Sequence, residues 1–423
     1  MAFSVDIGTP QRMRATEAGD PTFSDRRPGF HLTRPVELTC FALCVANAVY
    51  LAASFVQGSW LIDPSGQAIA TDFVNVWAGG RQALDGAPQA VYDVALHKGA
   101  EDAALGHGFE GDYPWIYPPT FLLAAMALAL LPYIPAQLLW IGVTFPAYVA
   151  AIRGVIGHRI GIFLACAYPG IVANAMVGQN GFATAALLGG ALVCLERAPL
   201  LAGCFIGLLS FKPHLGVLLP FVLIAGGYWR VLAAAAVVTV LMAAASWWAF
   251  GGATWEAFLH ALPVASQTSL TEGRADWAKL QSMFGLVRMV GGPESLAWTI
   301  QLALAAVVAV LLVVLWRGKA AFELRAAALV TGTLLATPYI FLYDLVALAI
   351  PIAFLLRMQA EKGELPGEML GLAVTCLLIV AFPFVKAPVG LAAVLLVALL
   401  IARRALHQPS QVGFSRLQTP PLS

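Results

Sequence analysis

Apolar segments close to the length of a membrane crossing recur along most of this chain, separated by short polar breaks. They cover approximately residues 37–56, 119–152, 160–175, 180–195, 200–228, 231–250, 296–316, 324–338, 343–358, 367–384 and 388–402. A straight helix needs about 20 apolar residues to span a bilayer, and the bilayer core accepts only backbone that is hydrogen-bonded within the protein. Of the 423 residues, 60% are hydrophobic and 11% are charged, whereas a soluble domain has roughly 25% charged residues. The sequence therefore predicts an all-α polytopic membrane protein.

Two of these segments are interrupted. The range 119–152 is too long for one simple helix and contains Pro132 and Pro135, so one crossing, three crossings, or one crossing with a membrane-surface segment all fit it. Lys212-Pro213-His214 divides the range 200–228 into two short helices that enter and leave. Counted in this way, the segments predict about twelve crossings.

The distribution of Lys and Arg predicts the orientation, because cytoplasmic loops are enriched in these residues. With a single net crossing at 119–152, the basic clusters all fall in the cytoplasm together with the polar tails 1–36 and 403–423. The transmembrane domain is then 37–402, and its two long loops, 57–118 and 251–294, are extracytoplasmic. The first loop holds eight acidic residues against two basic ones. Its residues 72–84 have the apolar spacing of an amphipathic helix lying on the membrane.

Several functional classes are disfavoured by what the chain contains. A net charge of +1 argues against a nucleic-acid partner. The six cysteines lie in or beside apolar segments and form no pair or cluster typical of a disulfide framework or metal site. There is no Walker loop, G-x-G-x-x-G or H-E-x-x-H motif, so no cofactor is expected. The N-terminal residues lack the apolar run of a cleavable signal peptide, and the first span is expected to serve as the membrane signal.

The most informative polar position is Asp72, in Thr71-Asp72-Phe73 just after the first apolar span. An enzyme whose substrate is carried on a lipid needs its base near the membrane surface, and this carboxylate follows a span closely. The alternative is that Asp72 caps the helix that begins after it. Tyr117, in the aromatic segment that ends this loop, fits either substrate binding or anchoring at the membrane interface.

Ionisable and amide side chains also interrupt later apolar segments. Lys212 is at membrane depth, where a charge is costly and wants an anion, either a lipid-linked phosphate shared with His214 or an internal carboxylate; snorkelling is a third option. Gln179 and Asn180, between Gly178 and Gly181, fit sugar hydroxyls or a plain turn. Three more polar positions start the span at 343 and fit a substrate site or, for the carboxylate, a helix cap: Tyr339, Tyr343 and Asp344.

Four short motifs follow one another along the chain. They are Thr71-Asp72-Phe73 with Arg81-Gln82-Ala83-Leu84-Asp85-Gly86; Tyr117-Pro118-Pro119; Gly178-Gln179 with Leu201-Ala202-Gly203 and Lys212-Pro213; and Gln281-Ser282-Met283-Phe284-Gly285 with Thr337-Pro338-Tyr339 to Asp344. In this order the chain resembles glycosyltransferase family 87, polyprenyl-phosphate-mannose-dependent mannosyltransferases of the GT-C superfold, over about residues 37–400. It departs from the family's motifs after Asp72-Phe73, at Leu280, and in 340–344, which lacks the usual His.

The resemblance implies an inverting transfer of mannose, or another polyprenyl-phosphate-linked sugar, to a hydroxyl of a lipid or glycan acceptor. In that scheme Asp72 is the general base, and no metal is required. Lys212, Arg81, Gln179 and His214 bind the donor phosphate, and Tyr117, Asn180, Tyr339, Tyr343 and Asp344 bind sugar or acceptor. It also implies the bacterial inner membrane, with the site on the extracytoplasmic face and membrane lipids as surroundings.

Two other functional classes are considered, and one of them fits the broken helices and midplane charges. A transporter or flippase of a lipid-linked or small polar solute would use such features. No convincing internal repeat joins the two halves, and the acidic first loop suits an enzyme better. A membrane scaffold subunit is the third class, and it leaves Lys212 unexplained.

Overall fold

A computed structural model describes residues 34–273 and 276–407, and helices account for the regular structure of these ranges. Both predicted tails lie mainly outside them, although α1 begins at Arg34 and α18 continues to His407. The α-helices are α1 (Arg34–Val56), α2 (Phe73–Leu84), α3 (Val94–Leu105), α4 (Pro119–Leu128), α5 (Tyr133–Ile156), α6 (Ile160–Ala167), α7 (Gly170–Val177), α8 (Gly181–Cys194), α9 (Pro199–Leu208), α10 (Pro213–Gly216), α11 (Leu219–Ala225), α12 (Trp229–Ser266), α13 (Met283–Met289), α14 (Glu294–Arg317), α15 (Phe322–Ala336), α16 (Ala349–Lys362), α17 (Glu368–Ala381) and α18 (Val389–His407).

Within the described ranges, six helices are long and apolar enough to cross a membrane, or seven if the bent pair α6–α7 makes one crossing. The protein is therefore a multi-pass membrane protein, but the predicted count of about twelve crossings is not confirmed. Five further apolar helices have only 10–17 residues. Hydropathy counts apolar segments, whereas a crossing also needs uninterrupted length, which proline and glycine breaks remove.

The predicted segment 119–152 divides at Pro132, whereas Pro135 lies within the first turn of α5. The ten residues of α4 end before Pro132, and α5 then runs for 24 residues. At about 1.5 Å of rise per residue, α4 covers only half of a bilayer core. This segment thus contains one full-length helix, α5, preceded by a short buried one.

The range 200–228 is broken around Lys212, as its sequence predicts. A 3₁₀ turn, Leu209–Phe211, follows α9, and the short helix α10 begins at Pro213. The backbone of Lys212 between them is non-helical, with φ −125° and ψ 70°, and a following proline disfavours the helical conformation at this position.

The residues between α1 and α4 fold into α2, the 3₁₀ turn Pro88–Tyr92, and α3. Most residues of α2 are buried, so the prediction of a helix lying on the membrane surface is wrong. The two glycines at its centre explain the difference. A Cβ at Gly80 would lie 2.0 Å from the carbonyl oxygen of Ala125 in α4, and one at Gly79 would lie 2.7 Å from the Trp115 ring. Glycine thereby lets α2 pack inside the protein.

The predicted second loop, 251–294, is more helical than expected. At Gly251 the backbone takes a φ of 76°, which kinks α12, and the helix then continues to Ser266. A π-helical turn, Gln267–Thr271, and a 3₁₀ turn, Trp277–Lys279, follow before α13. The kink redirects the end of α12 towards the segment 88–116, against which it packs.

Burial separates central helices from peripheral ones. The stretch Leu342–Lys362, which comprises a 3₁₀ turn and α16, is mostly buried. By contrast, α1, α12 and α14 expose long rows of apolar side chains. In a bilayer these exposed faces contact lipid. The stretch Leu342–Lys362 lies at the protein's centre, because other helices surround it.

Replacing Gly80 with alanine tests the packing of α2. The added Cβ meets the rigid backbone of Ala125, and overpacking of this kind costs about 1–3 kcal/mol. Thermal unfolding of detergent-purified Gly80→Ala should therefore occur at a lower temperature than that of wild type. Gly99→Ala on α3 is the control, because a Cβ there meets nothing within 4 Å and stabilises a helix interior by about 0.5–1 kcal/mol. Equal unfolding temperatures for the two variants would contradict the close α2–α4 contact.

Candidate functional site

Asp72 precedes α2 at its N-cap position, but its side chain makes no capping hydrogen bond. Its Oδ2 instead accepts a hydrogen bond of 3.1 Å from Nε2 of Gln179, which is more than a hundred positions away in the sequence. The side chain is partly buried. The contact made by this carboxylate is therefore tertiary, which argues against the simple capping alternative.

The turn Gly178–Gly181 brings Gln179 to Asp72. Gly178 has a φ of +67°, and a Cβ there would lie 2.8 Å from the Cβ of Phe73. A Cβ at Gly181 would lie 2.2 Å from the carbonyl oxygen of Tyr343. Both glycines are thus required by close approach, the first to α2 and the second to the centre of the protein.

A hydrogen-bonded group extends from Gln179 to two other predicted site residues. The Tyr117 hydroxyl donates to Oε1 of Gln179 at 3.1 Å and accepts from Nδ2 of Asn180 at 2.9 Å. The backbone N–H of Asn180 also donates to Oε1 of Gln179, at 3.1 Å. Tyr117, Gln179 and Asn180 are all buried. A connected polar group inside a membrane protein fixes the orientation of each member, because an unpaired polar atom there is costly.

The polar face of α2 is held by a second buried cluster. His97 of α3 contacts the side-chain oxygens of Gln82 and Asn75 through its two ring nitrogens, at 2.7 and 3.1 Å. Asn75 also donates to the carbonyl of Pro114 at 3.2 Å. Since Asn75 lies one turn after Asp72, this cluster fixes the helix that carries the carboxylate.

Lys212 forms a buried ion pair with Oδ1 of Asp344. This is the internal-carboxylate alternative considered from the sequence, and it leaves the Lys212 charge balanced by the protein. Oδ2 of Asp344 accepts a hydrogen bond of 3.0 Å from the backbone of Phe341, so Asp344 also caps its 3₁₀ turn. The Tyr343 ring lies beside the pair, with its centroid 5.2 Å from Nζ of Lys212.

The remaining predicted residues divide into two groups. The rings of His214 and Tyr339 lie near each other, with centroids 6.2 Å apart, and His214 is adjacent to Lys212. Arg81 is half-exposed and pairs with Asp85 on the same helix at 2.9 Å. It makes no hydrogen bond to the other candidate residues in the described part of the chain.

Two residues of the second long loop were not predicted as part of the site. Gln281 is buried; its amide donates to the carbonyls of Ala278 and Lys279, and its Oε1 accepts from the backbone of Gly390 at 2.7 Å. This ties Lys279 to the start of α18. A sequence signal was available, since Lys279 lies two residues before the motif that begins at Gln281, but nothing local indicated that it lies close to Asp72.

The electrostatics of Asp72 reflect these surroundings. Burial raises the pKa of Asp72 to about 6, opposed by the hydrogen bond from Gln179 and by the positive charges of Lys279 and Lys212. Lys279 is exposed, and its ammonium forms no ion pair with other described residues. The site therefore contains a carboxylate with a raised pKa, an amide that contacts it, and a solvent-accessible cation.

Double substitution tests the structural role of the Lys212–Asp344 pair. Lys212→Met or Asp344→Asn alone leaves an uncompensated buried charge, which costs about 3–5 kcal/mol. The double variant should recover most of that loss, and unfolding by SDS titration measures all three. Asp85→Asn is the control, because its exposed pair with Arg81 contributes at most about 1 kcal/mol. Wild-type stability of both single variants would show that the pair is not structural.

The comparisons with known proteins bear on this arrangement. A model of glycosyltransferase family 87 matches residues 115–338, which is more than half of the chain. The matched range includes the turn Gly178–Gly181, Lys212 and Gln281. No curated protein and no solved structure gives a match. The chain belongs to glycosyltransferase family 87, and sugar transfer is its activity.

Proposed function

We propose that this glycosyltransferase moves a hexose from a polyprenyl-phosphate donor to an acceptor hydroxyl, with Asp72 as the general base. The hydrogen bond between Asp72 and Gln179 carries this proposal. It holds a carboxylate that does not cap its helix beside the buried polar group of Tyr117 and Asn180. A base in such a position has a fixed orientation and a pKa raised towards neutrality, as proton abstraction requires.

The reaction is a single displacement. The acceptor oxygen attacks the anomeric carbon, its proton passes to the Asp72 carboxylate, and the bond from carbon to the phosphate oxygen breaks. The phosphate leaves with the bonding electrons, and the configuration at the anomeric carbon is inverted. A positioned base contributes about 10²–10⁴-fold to such a reaction, and a cation near the leaving phosphate stabilises its developing charge.

Lys279 is the cation that we assign to the donor phosphate, together with the amide of Gln179. Its charge acts on Asp72, and it is exposed and unpaired among the described residues. Lys212 was the first candidate from the sequence, but Asp344 already balances its charge. In this proposal Lys212 and His214 have a structural role. Arg81 pairs with Asp85 and does not contact the donor.

The sugar and acceptor contacts remain those proposed from the sequence. Tyr117 and Asn180 supply a hydroxyl and an amide beside Gln179. Asp344 belongs to the buried ion pair, Tyr343 lies beside that pair, and Tyr339 contacts His214. We propose mannose or another polyprenyl-phosphate-linked sugar as the transferred group, a GT-C architecture, and a site on the extracytoplasmic face of the bacterial inner membrane. Transport of a solute has no support from the family match, which favours the enzyme.

Substitution of Asp72 tests the assignment of the base. Asp72→Asn keeps the side-chain shape but cannot take the proton, so transfer should fall by about 10²-fold or more. Radiolabelled polyprenyl-phosphate-mannose is incubated with purified protein and a membrane lipid extract, and the label in the product is counted. Donor binding, measured in parallel, should persist.

Asp85→Asn at the exposed end of the same helix is the control and should transfer normally. Loss of donor binding together with transfer in Asp72→Asn would contradict a catalytic role and favour a structural one.

The pH dependence of transfer tests the surroundings of Asp72. Because the base must be ionised, kcat/KM should fall about tenfold per pH unit below pH about 6. Gln179→Met removes a hydrogen bond that lowers the pKa of Asp72, and Lys279→Met removes a positive charge that lowers it. Both variants should therefore move the acidic limb to higher pH.

Both variants should also raise the KM for the donor, because both side chains are assigned to its phosphate, and Lys279→Arg should restore part of the loss because it keeps the charge. An acidic limb that stays in place in both variants would rule out Asp72 as its origin.

A further inference from the structure

A cavity of about 380 Å³ lies between the segment 88–116 and the C-terminal part of α12. Its volume falls in the range of small-molecule sites, roughly 300–1,000 Å³. Gln179, Asn180 and Lys212 do not line it. The cavity therefore adjoins the polar group around Asp72 without including it.

One wall of the cavity belongs to a helix that borders the bilayer. Ala257, Ala261 and Val264 line it at a spacing that puts them on one face of α12. The neighbouring Leu259 and Leu262 are exposed on other faces of the helix. His260 also lines this wall, but it is mostly exposed and lies 3.8 Å from Glu256. The small apolar residues beside a lipid-facing surface suit the chain of an amphiphile.

The opposite wall carries carboxyl groups from Asp93, Glu101 and Asp112. Asp93 also accepts from the backbone N–H groups of Ala95 and Leu96, and the buried Glu101 accepts from the backbone N–H of Tyr113. Lys98 also lines the cavity, but its ammonium donates to Oδ1 of Asp102 at 2.7 Å and to the carbonyl of Phe109 at 2.9 Å. Carboxyl oxygens accept hydrogen bonds from hydroxyl groups, whereas they repel a phosphate whose charge is not balanced. This wall therefore favours a neutral ligand with several hydroxyls.

Aromatic rings complete the lining and connect it to the base. Tyr92 and Tyr113 are partly exposed and offer ring surface against which the C–H surface of a pyranose can pack, whereas Trp115 is buried and stacks on Phe121 behind them. The Tyr113 hydroxyl has no hydrogen-bond partner in the described part of the chain. Burial raises the pKa of Tyr113 to about 12, with further contributions from the negative charges of Asp72 and Glu101. The contact with α2 is direct, because Pro114, which also lines the cavity, accepts a hydrogen bond of 3.2 Å from Asn75, one helical turn after Asp72.

We propose that this cavity binds the neutral, polyhydroxylated headgroup of a membrane-anchored acceptor. The inference rests on the proposed function, since it assigns the acceptor side of the same reaction. The acceptor's apolar chain lies along α12 and its sugar ring contacts the aromatic and carboxyl wall. The donor phosphate remains on the other side of Asp72, near Lys279.

Photolabelling tests the cavity without requiring activity. The full chain in phosphatidylcholine nanodiscs is irradiated with a butyl hexoside that carries a diazirine in its butyl chain, and labelled peptides are identified by mass spectrometry. Unlabelled butyl hexoside and butyl phosphate are added as competitors with the same chain and different headgroups. Ala261→Trp fills the cavity, and Leu262→Trp adds the same side chain on the neighbouring, exposed face.

Saturable labelling of 252–266 is expected, with competition by the hexoside and not by the phosphate. Ala261→Trp should reduce it at least tenfold and Leu262→Trp should not. Unsaturable labelling, equal competition by butyl phosphate, or full labelling of Ala261→Trp would each overturn the proposal.

A kinetic comparison separates this inference from the proposed function. In the transfer assay, Ala261→Trp should raise the KM for the acceptor extract at least tenfold and leave donor binding unchanged. An unchanged KM would refute the acceptor site while transfer itself stands. Absence of transfer in wild type would refute the proposed function, and the photolabelling would still report on the cavity.

Discussion

The rest of the candidate site depends on the hydrogen bonds made by the side-chain amide of Gln179. Its nitrogen donates to Asp72, and its oxygen accepts from Tyr117 and from the backbone of Asn180. These partners belong to three parts of the chain, before α2, before α4 and before α8. In a membrane protein such an amide has few alternative partners, so its orientation is strongly determined. Loss of this amide would disconnect the carboxylate from the buried polar group.

Glycine and proline make that contact geometrically accessible. Gly178 and Gly181 allow the turn to approach both Phe73 and Tyr343, where any Cβ would collide. Gly80 does the same for α2 against α4. The shortened helices that follow from these breaks end inside the protein, and their ends carry polar residues towards one region. The glycines and prolines that shorten the apolar helices therefore also position the residues of the candidate site.

The buried Lys212–Asp344 pair stabilises the arrangement of the part of the protein next to the candidate site. It connects the break between α9 and α10 with the start of Leu342–Lys362, the most buried long stretch among the candidate spans. A buried ion pair adds little net stability, because desolvation offsets the attraction, but it fixes the positions of the two groups that it joins. The charge of Lys212, which the sequence predicted to bind a substrate phosphate, thus forms an internal contact.

Sequence alone determined the membrane class, the break at Lys212-Pro213 and the polar positions Asp72, Tyr117, Gln179 and Asn180, because apolar runs, proline and isolated polar residues act locally. The number of full-length crossings, the burial of α2 and the partner of Lys212 were decided by tertiary structure. Lys279 is the clearest example of a residue whose surroundings depend on contacts that are distant in the sequence. Its position depends on the contact of Gln281 with Gly390, more than a hundred residues away. Which side chains meet across such distances is fixed by packing, and no local pattern records it.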